Sequence, residues 1–330
     1  MSLIGVCFIT HRAKHHLHSC LPPFLNSPLK PRVLVVNSSS NDGTIELAQA
    51  MGAETLLIPR AEFNHGTTRE RARKFLGTEI VVMMTPDAYA SDTLMLSKLI
   101  APVLKKEAAV SYARQLPHQD ADFFESFPRE FNYPAQSQLR SIRDASKYGV
   151  YTIFCSNSCA AYRNSALDDI GGFQSVLTGE DTVAVAALLR KGYKIAYVAD
   201  ACVRHSHKYT LKQEFQRHFD TGLARKQLKT QLSLGQFGVG TDEARGQAYV
   251  KCLIKNVVKK KPQLLPYAVV QTLVKWVGYR IGAMSTRAPV AFKRLCSAQD
   301  FFWDSSVSKK SLNAKAQSRK EGKGRKGQGT

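Results

Sequence analysis

The sequence lacks several features that would assign it quickly to another class of protein. Its seven cysteines are scattered, without the short paired spacings of a zinc site, so we expect reduced thiols. The basic C-terminal region contains no 18-residue stretch free of charge, which argues against a membrane-spanning helix there. The N-terminal apolar run is short and follows no charged leader, so we expect it to be a first strand of a cytoplasmic protein.

Acidic residues are also scarce. There are 26 Asp and Glu against 47 Lys and Arg, which gives a formal charge of +21. An excess of this size predicts a phosphate-bearing ligand, an anionic membrane or a nucleic acid as partner. Apolar residues make up 44% of the 330 residues, so the chain can bury a large core in one catalytic domain with a smaller appendage.

Short apolar runs alternate with polar loops and helices in the first half of the chain. Residues 3–9 and 33–36 are rich in β-branched side chains and predict buried strands. The first run ends in a polar loop that consists of Thr10, His11 and Arg12. Strand, loop, helix and strand in this order predict a parallel α/β sheet, whose ligands gather at the carboxyl ends of the strands. We therefore expect Asn37, directly after the second run, at a ligand-binding edge.

One stretch of the second half brings acidic residues and histidines close together in the chain. The pair Glu180 and Asp181 lies between a glycine-rich turn and an apolar helix that ends in a cationic turn and Gly192. The apolar run 195–198 predicts a buried strand, and His205 and His207 follow it. Interaction with the helix dipole also explains two carboxylates at a helix N-terminus, so spacing alone leaves their role open.

This stretch resembles the acceptor-side segment of the family-2 glycosyltransferases, which have the GT-A fold. The segment that carries the resemblance begins at Gly179 and is GEDTVAVAALLRKGYKIAYVADACVRHSH. Together with FNHGTTRER at 63–71 and TPDA at 85–88, it is most similar to the bacterial rhamnosyltransferase-like branch. The resemblance covers residues 2–228 and rests on several motifs that recur in order.

The resemblance implies an α/β fold of the GT-A type: a Rossmann-like, mostly parallel sheet flanked by helices, with a basic helical extension at the C-terminus. In this family the Glu-Asp pair supplies the catalytic base, so Asp181 is expected to take the acceptor proton while Glu180 orients the acceptor. Arg69 is expected on the donor diphosphate, because arginine makes paired hydrogen bonds to phosphate oxygens. Since Arg69, Arg71 and Arg73 cannot share one helix face, at least one must point away.

The same resemblance implies a nucleotide-sugar site. Asn64 and His65 fit the rhamnosyltransferase-like signature and are expected to line the donor pocket with the polar loop at 10–12. Asn37 occupies the position at which most members have an aspartate that holds the base and ribose. Asparagine keeps an acceptor oxygen but loses the charge, so we expect nucleotide binding with an altered preference.

Asp87 is the candidate metal ligand. It follows the apolar strand 80–84, at the position where GT-A enzymes hold a divalent cation together with the donor diphosphate. The usual D-x-D partner is missing, because Thr85 and Tyr89 stand two positions either side. We expect His205 or His207 to complete the site, since both would face the same side of an extended backbone. Nitrogen ligands favour Mn²⁺ over Mg²⁺, and a surface histidine pair without metal is the alternative.

Residues 113–149 are predicted to be irregular, because Pro117, Pro128 and Pro134 are spread among many aromatic residues. A long loop in a compact domain is usually functional, and this segment resembles the acceptor-side segment of the same branch. An aromatic cluster that packs the loop on the core is the alternative, and the same side chains can serve both purposes.

The C-terminal part divides into two regions. We expect the GT-A domain to span 1–210 and a helical region to follow at 211–306. Its first helix would place four apolar residues on one stripe: Leu211, Phe215, Phe219 and Leu223. The basic and apolar stretch 249–295 either lies on an anionic membrane or packs as an ordinary helical subdomain. From 307 to 330 apolar residues are few, which predicts a disordered cationic tail.

These observations predict an inverting glycosyltransferase of bacterial surface polysaccharide biosynthesis. By resemblance its donor is a nucleotide sugar, with dTDP-rhamnose favoured, and its acceptor is a glycan or a lipid-linked saccharide. A divalent metal, Mg²⁺ or Mn²⁺, and a peripheral place on the inner face of the cytoplasmic membrane are also expected. The alternatives are a non-catalytic member of the fold and a basic nucleic-acid-binding protein. Nucleic acid is not the expected partner, because the basic residues are not interleaved with aromatics as in known modules.

Overall fold

The computed structural model describes residues 3–233 and 242–305, so the predicted tail at 307–330 lies outside the described residues. Within them, nine strands form one sheet. The strands are β1 (Ile4–Thr10), β2 (Arg32–Asn37), β3 (Glu54–Leu57), β4 (Ile80–Met84), β5 (Tyr89–Ala90), β6 (Val110–Leu116), β7 (Gln138–Arg140), β8 (Cys159–Arg163) and β9 (Ile195–Arg204).

Helices cover the sheet and continue beyond it. Those that precede the end of β9 are α1 (Lys14–Cys20), α2 (Pro22–Leu25), α3 (Thr44–Ala50), α4 (His65–Leu76), α5 (Met95–Leu104), α6 (Phe123–Asn132), α7 (Ala145–Tyr148), α8 (Asn164–Asp168) and α9 (Glu180–Arg190). Those that follow are α10 (Leu211–Gln227), α11 (Lys229–Leu232), α12 (Asp242–Lys260), α13 (Leu265–Met284), α14 (Val290–Cys296) and α15 (Asp300–Asp304). The predicted helical region after the sheet is therefore present.

The sheet has the strand order β3-β2-β1-β4-β8-β6-β9-β5, with β7 paired to β9 outside this path. Parallel pairs join β3 to β2, β2 to β1, β1 to β4 and β6 to β9. The other pairs are antiparallel, between β8 and its neighbours β4 and β6 and between β9 and its neighbours β5 and β7. The α/β fold is confirmed, but the sheet is mixed rather than mostly parallel. The reason is that β8 runs antiparallel between two parallel groups and that β5 and β7 both pair antiparallel with β9.

The central strands are buried on both faces. In β1 every residue is buried, and its side chains alternate between two core clusters. Val6 and Phe8 belong to the cluster on one face, whereas Cys7 and Ile9 belong to that on the other. Helices on both sides of a sheet produce such continuous apolar strands, which explains why β1, β2 and β4 could be predicted to within one residue.

Residues 113–149 are not an irregular loop, so that prediction was wrong. They contain the end of β6, all of α6 and all of β7. Asp122 and Glu125 form a capping box at the start of α6 and so stabilise the helix, although Pro128 lies inside it. Phe127 is buried against Leu253 of α12. The aromatic residues thus form a packing cluster, but they pack on the C-terminal helices.

Helices α10 and α13 approach each other closely at glycine residues. A Cβ atom at Gly222 would lie 2.0 Å from the carbonyl oxygen of Tyr279, and one at Gly282 would lie 2.0 Å from that of Phe219. No larger residue fits either position without displacing backbone. Phe219 and Leu223, part of the predicted stripe, are fully buried at this contact.

The C-terminal helices share a core with the sheet. Ala224 of α10 and Leu228, directly after this helix, belong to the large core cluster that also contains Val183 and Leu189 of α9. The predicted boundary at residue 210 coincides with the start of α10 at Leu211. The helices beyond that boundary are nevertheless packed directly on the half of the chain that contains the sheet.

The outward face of α13 is apolar and exposed. Leu273 is 56% exposed and Trp276 is 60% exposed, whereas Ala268 and Gly278 face inward. Within residues 3–233 and 242–305, no helix combines the length and the hydrophobicity that a membrane span requires.

Candidate active site

The carboxyl ends of β1, β2 and β4 lie at the same edge of the sheet, because these strands are parallel neighbours. Thr10 at the end of β1 is in register with Asn37 at the end of β2. Asp87 lies three residues after Met84, the last residue of β4. The sequence analysis therefore placed these three residues at the correct edge.

The side chain of Asn37 is fully buried and is engaged by the loops at this edge. Its Nδ2 donates to Thr10 Oγ1 at 3.2 Å and to Ser40 Oγ at 2.9 Å. Its Oδ1 accepts from the backbone N–H of Ser40 at 2.8 Å. Asn37 thus holds the loop that follows β2, and its contact with a nucleotide base stays a prediction.

Ser38 joins the loops after β1, β2 and β3. Its Oγ lies 3.1 Å from His11 Nδ1 and accepts a hydrogen bond from Arg60 Nη1 at 3.1 Å. Burial lowers the pKa of His11, and the charges of Arg60 and Arg12 lower it further. Arg12 and Arg60 thus bring positive charge to this edge, which favours an anionic ligand. The sequence analysis identified His11 and Arg12 but missed Arg60.

Asn64 has a structural function at the start of α4. Its Oδ1 accepts from the backbone N–H groups of Gly66 and Thr67, and its Nδ2 donates to the carbonyl oxygen of Val176 at 3.1 Å. A Cβ atom at Gly66 would lie 1.9 Å from the carbonyl oxygen of Gln174. The Asn-His-Gly signature therefore packs α4 against the turn that precedes Glu180 and Asp181. A direct contact between Asn64 and the donor stays a prediction.

Arg69 and Glu180 form a buried ion pair. Arg69 Nη1 lies 2.8 Å from Glu180 Oε1, and the two side chains are 4% and 9% exposed. Asn157 Nδ2 also donates to Glu180 Oε1, at 3.1 Å. Burial acts to raise the pKa of Glu180, but the charge of Arg69 and the hydrogen bond from Asn157 help to lower it below its usual value. Arg71 is exposed, as expected for one of the three arginines.

His65 lies beside this ion pair. Its Nδ1 is 3.4 Å from Arg69 Nη1, and its ring makes edge contacts with Phe63 and Phe301. Burial lowers the pKa of His65 to about 4, and the nearby Arg69 charge acts in the same direction. His65 is therefore neutral at physiological pH. The imidazole contributes hydrogen bonding to this cluster and not a further positive charge.

Asp181 follows Glu180 in the chain but has the opposite protonation preference. Its Oδ2 accepts from the backbone N–H of Asn157 at 3.1 Å, and its Oδ1 accepts from that of Thr182 at 2.6 Å. Burial, together with the neighbouring Glu180 charge, raises the pKa of Asp181 to about 6. A carboxylate with a pKa close to the working pH is both ionised and basic, as a general base must be.

Asp87, His205 and His207 form a cluster of potential metal ligands. One ligand atom from each side chain lies within 4.8 Å of the other two. His205 Nε2 is 3.4 Å from Asp87 Oδ1, and His207 Nε2 is 3.6 Å from Asp87 Oδ2. Burial lowers the pKa of both imidazoles, that of His207 to about 3. Both rings are therefore neutral, which is the form that binds a metal ion.

Gln115 at the end of β6 orients His205. Its Oε1 accepts from Arg129 Nη1 at 2.6 Å and lies 3.0 Å from His205 Nδ1. Because an amide oxygen only accepts, Nδ1 carries the proton of the neutral His205 ring. The lone pair on Nε2 then faces Asp87 Oδ1, a buried oxygen that lacks a hydrogen-bond partner among the described residues. Two acceptors that face each other in this way fit a bound cation.

The metal-ligand cluster and the carboxylate pair are joined by two consecutive residues. Ser156 Oγ accepts from Gln115 Nε2 at 2.9 Å, on the side of His205. Asn157 donates to both Glu180 and Asp181. The sequence analysis missed Gln115 and Asn157, since neither lies in a recognisable motif. The end of β6 and the loop before β8 were the places to search.

Comparison with known proteins places the chain among sugar transferases. The profile of a family described as glycosyltransferase like family 2 matches residues 6–221. The O-antigen chain rhamnosyltransferase WbaN of Salmonella anatum is 35% identical over 275 residues, which cover 83% of this chain and 86% of that protein. The O-antigen chain rhamnosyltransferase RfbN of Salmonella typhimurium is 34% identical over 276 residues, or 83% of this chain and 87% of that protein.

Solved structures have the same fold at low sequence identity. The mannosyltransferase PcManGT from Pyrobaculum calidifontis, in complex with GDP-Man and Mn²⁺, matches with a TM-score of 0.59 and 13% identity over 87% of each chain. Residues 1–349 of TarS from S. aureus match with a TM-score of 0.52 and 13% identity, over 94% of this chain and 91% of that chain. These similarities confirm the fold.

Proposed function

The chain belongs to the glycosyltransferase-like family 2, and from this premise we propose that it transfers rhamnose, with inversion, from dTDP-rhamnose to a glycan or lipid-linked acceptor. Its membership, together with relatives named as O-antigen chain rhamnosyltransferases, makes it a nucleotide-sugar glycosyltransferase of polysaccharide synthesis. The proposal adds the donor, the stereochemistry and the residues that act.

The observation that carries the proposal is the position of Asp181. This carboxylate has a raised pKa and is held by Asn157, whose neighbour Ser156 contacts the residue that orients the metal-ligand cluster. A base and a group that stabilises the leaving diphosphate are the two requirements of inverting sugar transfer. Candidates for both belong to one network of residues that hydrogen bonds and the Ser156–Asn157 peptide connect.

In the proposed reaction Asp181 accepts the proton of the acceptor hydroxyl. The hydroxyl oxygen forms a bond to the anomeric carbon of the sugar while the bond from that carbon to the phosphate oxygen breaks. The electron pair of the broken bond leaves with the nucleoside diphosphate. Attack from the side opposite the leaving group inverts the anomeric configuration.

Two groups are proposed to stabilise the diphosphate. Asp87, His205 and His207 would hold a divalent cation, which neutralises charge on the phosphate oxygens when it is bound. Arg69 is proposed to contact the same diphosphate. Its Nη1 pairs with Glu180, but its buried Nε lacks a hydrogen-bond partner among residues 3–233 and 242–305, so it retains a donor for a ligand.

A panel of sugar nucleotides tests the donor and the activity together. Purified protein is incubated with dTDP-rhamnose, UDP-glucose, UDP-GlcNAc or GDP-mannose, each with an acceptor extract, and released nucleoside diphosphate and glycosylated product are quantified. We expect dTDP-rhamnose to be turned over fastest and only in the presence of a divalent metal. Faster turnover of a UDP-hexose would contradict dTDP-rhamnose as the donor, but the protein would still be a glycosyltransferase. No turnover of any donor would favour the non-catalytic alternative.

We also propose that the C-terminal helices hold the enzyme on the inner face of the cytoplasmic membrane. The outward face of α13 exposes Leu273 and Trp276, and α12 ends in the exposed cations Lys259 and Lys260, followed by Lys261. Apolar side chains beside several lysines are typical of a helix that lies on an anionic lipid surface. A lipid-linked acceptor would be found at that surface.

A further inference from the structure

The C-terminal helix α15 packs against the donor side of the sheet, although more than two hundred residues separate the two in the chain. The ring of Phe301 makes edge contacts with Phe63 at 5.0 Å and with His65 at 5.6 Å, measured between ring centroids. Both partners lie around the start of α4, beside the ion pair of Arg69 and Glu180. A segment outside the family match at 6–221 therefore reaches the candidate site.

Arg60 is the charged residue at this contact. It begins the 3₁₀ helix Arg60–Glu62 after β3, and its guanidinium carbon lies 4.6 Å from the centroid of Phe301 and 5.3 Å from that of Phe63. Aromatic rings at such distances stabilise a guanidinium group and fix its orientation. The two phenylalanines thus hold Arg60 in place.

Neither Arg60 nor the nearby Arg12 is paired with a carboxylate within 4.0 Å in the described parts of the chain. Burial lowers the pKa of Arg60, the charge of Asp300 at the start of α15 acts against this, and the charge of Arg12 has a smaller lowering effect. Without a direct ion pair, the guanidinium group of Arg60 is available to an anionic ligand.

The position of Arg60 identifies the ligand. Its Nη1 donates to Ser38 Oγ, and Ser38 lies next to Asn37 at the end of β2, where the nucleotide of the donor is expected. A guanidinium group has five N–H donors, so Arg60 retains donors for the oxygens of a nucleotide. The side chain of Asn37, in contrast, is already engaged by Thr10 and Ser40.

We propose that Arg60, held between Phe63 and Phe301, binds the nucleotide part of the donor, and that α15 is therefore part of the donor site. This inference rests on the proposed function and deepens it. It assigns donor binding to Arg60, which lies outside the motifs quoted from the sequence, and to a helix that lies outside the family match at 6–221. Arg60 donates hydrogen bonds to oxygens of the nucleotide, either those of the pyrimidine base or those of the phosphates.

Helix α15 is anchored independently of Phe301. Its neighbours Phe302 and Trp303 are buried in a cluster with Leu177 and Phe219. Asp220 Oδ2 accepts from the backbone N–H of Ala298 at 2.9 Å, just before the helix. A change at Phe301, which is only partly buried, should therefore leave the helix in place and alter the contact with Arg60.

The test measures nucleotide affinity in two variants and their matched controls. Arg60→Gln removes the charge, and Phe301→Leu removes the ring but keeps an apolar side chain. The controls are Arg143→Gln, at an exposed arginine elsewhere, and Phe292→Leu, at a partly exposed phenylalanine of α14. Binding of dTDP and of thymidine is measured by isothermal titration calorimetry with full-length protein and Mn²⁺. Thermal unfolding of each variant checks that it is folded.

We expect Arg60→Gln to weaken dTDP binding about tenfold or more, as loss of a hydrogen bond to a charged group does, and Phe301→Leu to weaken it by a smaller factor. Both controls should bind like the parent protein. An equal loss for thymidine and dTDP would assign Arg60 to the base, and a loss for dTDP alone would assign it to the phosphates. Parent-like affinity in folded Arg60→Gln would overturn the inference and leave the proposed function standing.

Hydrogen–deuterium exchange gives a second readout in the parent protein. Saturating dTDP should lower deuterium uptake in the peptide that contains α15, while uptake in α14 should not change. Uptake in α15 that is identical with and without dTDP, under conditions where calorimetry shows binding, would also overturn the inference. If the parent protein binds no nucleotide at all, the proposed donor fails and this assignment fails with it.

Discussion

Arg69 in the second turn of α4 and Glu180 at the start of α9 form an ion pair of 2.8 Å that is almost completely buried. The charge of Arg69 keeps Glu180 ionised, although burial alone would raise the pKa of this carboxyl group. Asp181, the next residue, is the carboxylate with the raised pKa. The two acidic residues therefore have different functions in spite of their adjacency. One is held ionised by a cation, and the other is suited to exchange a proton.

Replacing Arg69 should destabilise the fold as well as the site. We expect Arg69→Ala to lower the free energy of unfolding by about 3–5 kcal/mol, because it leaves the Glu180 charge buried without a partner. Urea denaturation followed by circular dichroism measures this loss. Adding Glu180→Gln to Arg69→Ala should recover part of it.

The control for this experiment is Arg71→Ala on the same helix. The Arg71 side chain is 53% exposed and pairs with Glu62 at 3.3 Å. Loss of an exposed pair of this kind costs at most about 1 kcal/mol. Equal and small effects at both positions would show that the buried pair is not a determinant of stability.

Asp181→Asn should abolish sugar transfer and leave donor binding nearly intact. The amide cannot accept the acceptor proton, and a general base contributes about 10²–10⁴-fold to the rate. Steady-state transfer assays and calorimetric titration with dTDP measure the two quantities separately. Asp200→Asn, at an exposed carboxylate of β9, is the control and should transfer like the parent protein. Activity within a few-fold of the parent protein in Asp181→Asn would contradict the assignment.

The rate of transfer should depend on the ionisation of Asp181. Burial and the Glu180 charge raise the pKa of Asp181 to about 6, and only the ionised form can accept a proton. The rate constant should therefore rise as pH increases through this value and become constant above it. A profile of kcat from pH 5 to pH 8.5 measures this dependence. A rate that is flat between pH 5 and pH 7 would exclude Asp181 as the titrating base.

Removal of the metal should inactivate the enzyme reversibly. We expect chelation to stop transfer and Mn²⁺ to restore it at lower concentration than Mg²⁺, since imidazole nitrogens favour the softer ion. Asp87→Ala should lose the Mn²⁺-dependent part of dTDP affinity. Gln115→Leu should weaken Mn²⁺ binding about 10–100-fold, because His205 loses the partner that orients it. Full activity after exhaustive chelation would refute the metal site.

Asp92→Ala provides the control for the metal experiment. Asp92 lies five residues after Asp87, where it pairs with Lys98 at 3.1 Å and accepts from the backbone N–H of Leu94 at 2.8 Å, just before α5. Its loss removes a carboxylate from the same segment without touching His205 or His207. Its Mn²⁺ and dTDP affinities should equal those of the parent protein.

Charge reversal at Lys259, Lys260 and Lys261 should release the protein from anionic vesicles. Each cation near such a surface contributes about 1 kcal/mol, so binding should also decrease with salt. Co-sedimentation with vesicles that contain anionic lipid, compared with neutral vesicles at low and high salt, measures this. Lys105→Glu with Lys106→Glu, at exposed lysines after α5, is the control for net charge. Parent protein that stays in the supernatant with anionic vesicles at low salt would contradict membrane binding.

The sequence by itself determined the family, the fold class and the order of the motifs. Apolar strands such as β1 and β4 are continuous runs because both faces of the sheet are covered, and parallel neighbours end at one edge. This local information was sufficient to bring Thr10, Asn37 and Asp87 to that edge. It also predicted that His205 and His207 face one side, since alternate residues of an extended chain point the same way, and both lie beside Asp87 in the structure.

The tertiary structure decided which side chains meet. Gln115 contacts His205, Asn157 contacts both carboxylates, and each contact joins segments whose separation in the chain follows no period. The helix α6 was missed because proline and aromatic composition argued for a loop, whereas a capping box and packing on α12 stabilise a helix. Pairing between distant segments depends on how helices and strands pack, so no local pattern in the sequence could have shown that Phe301 lies against Arg60.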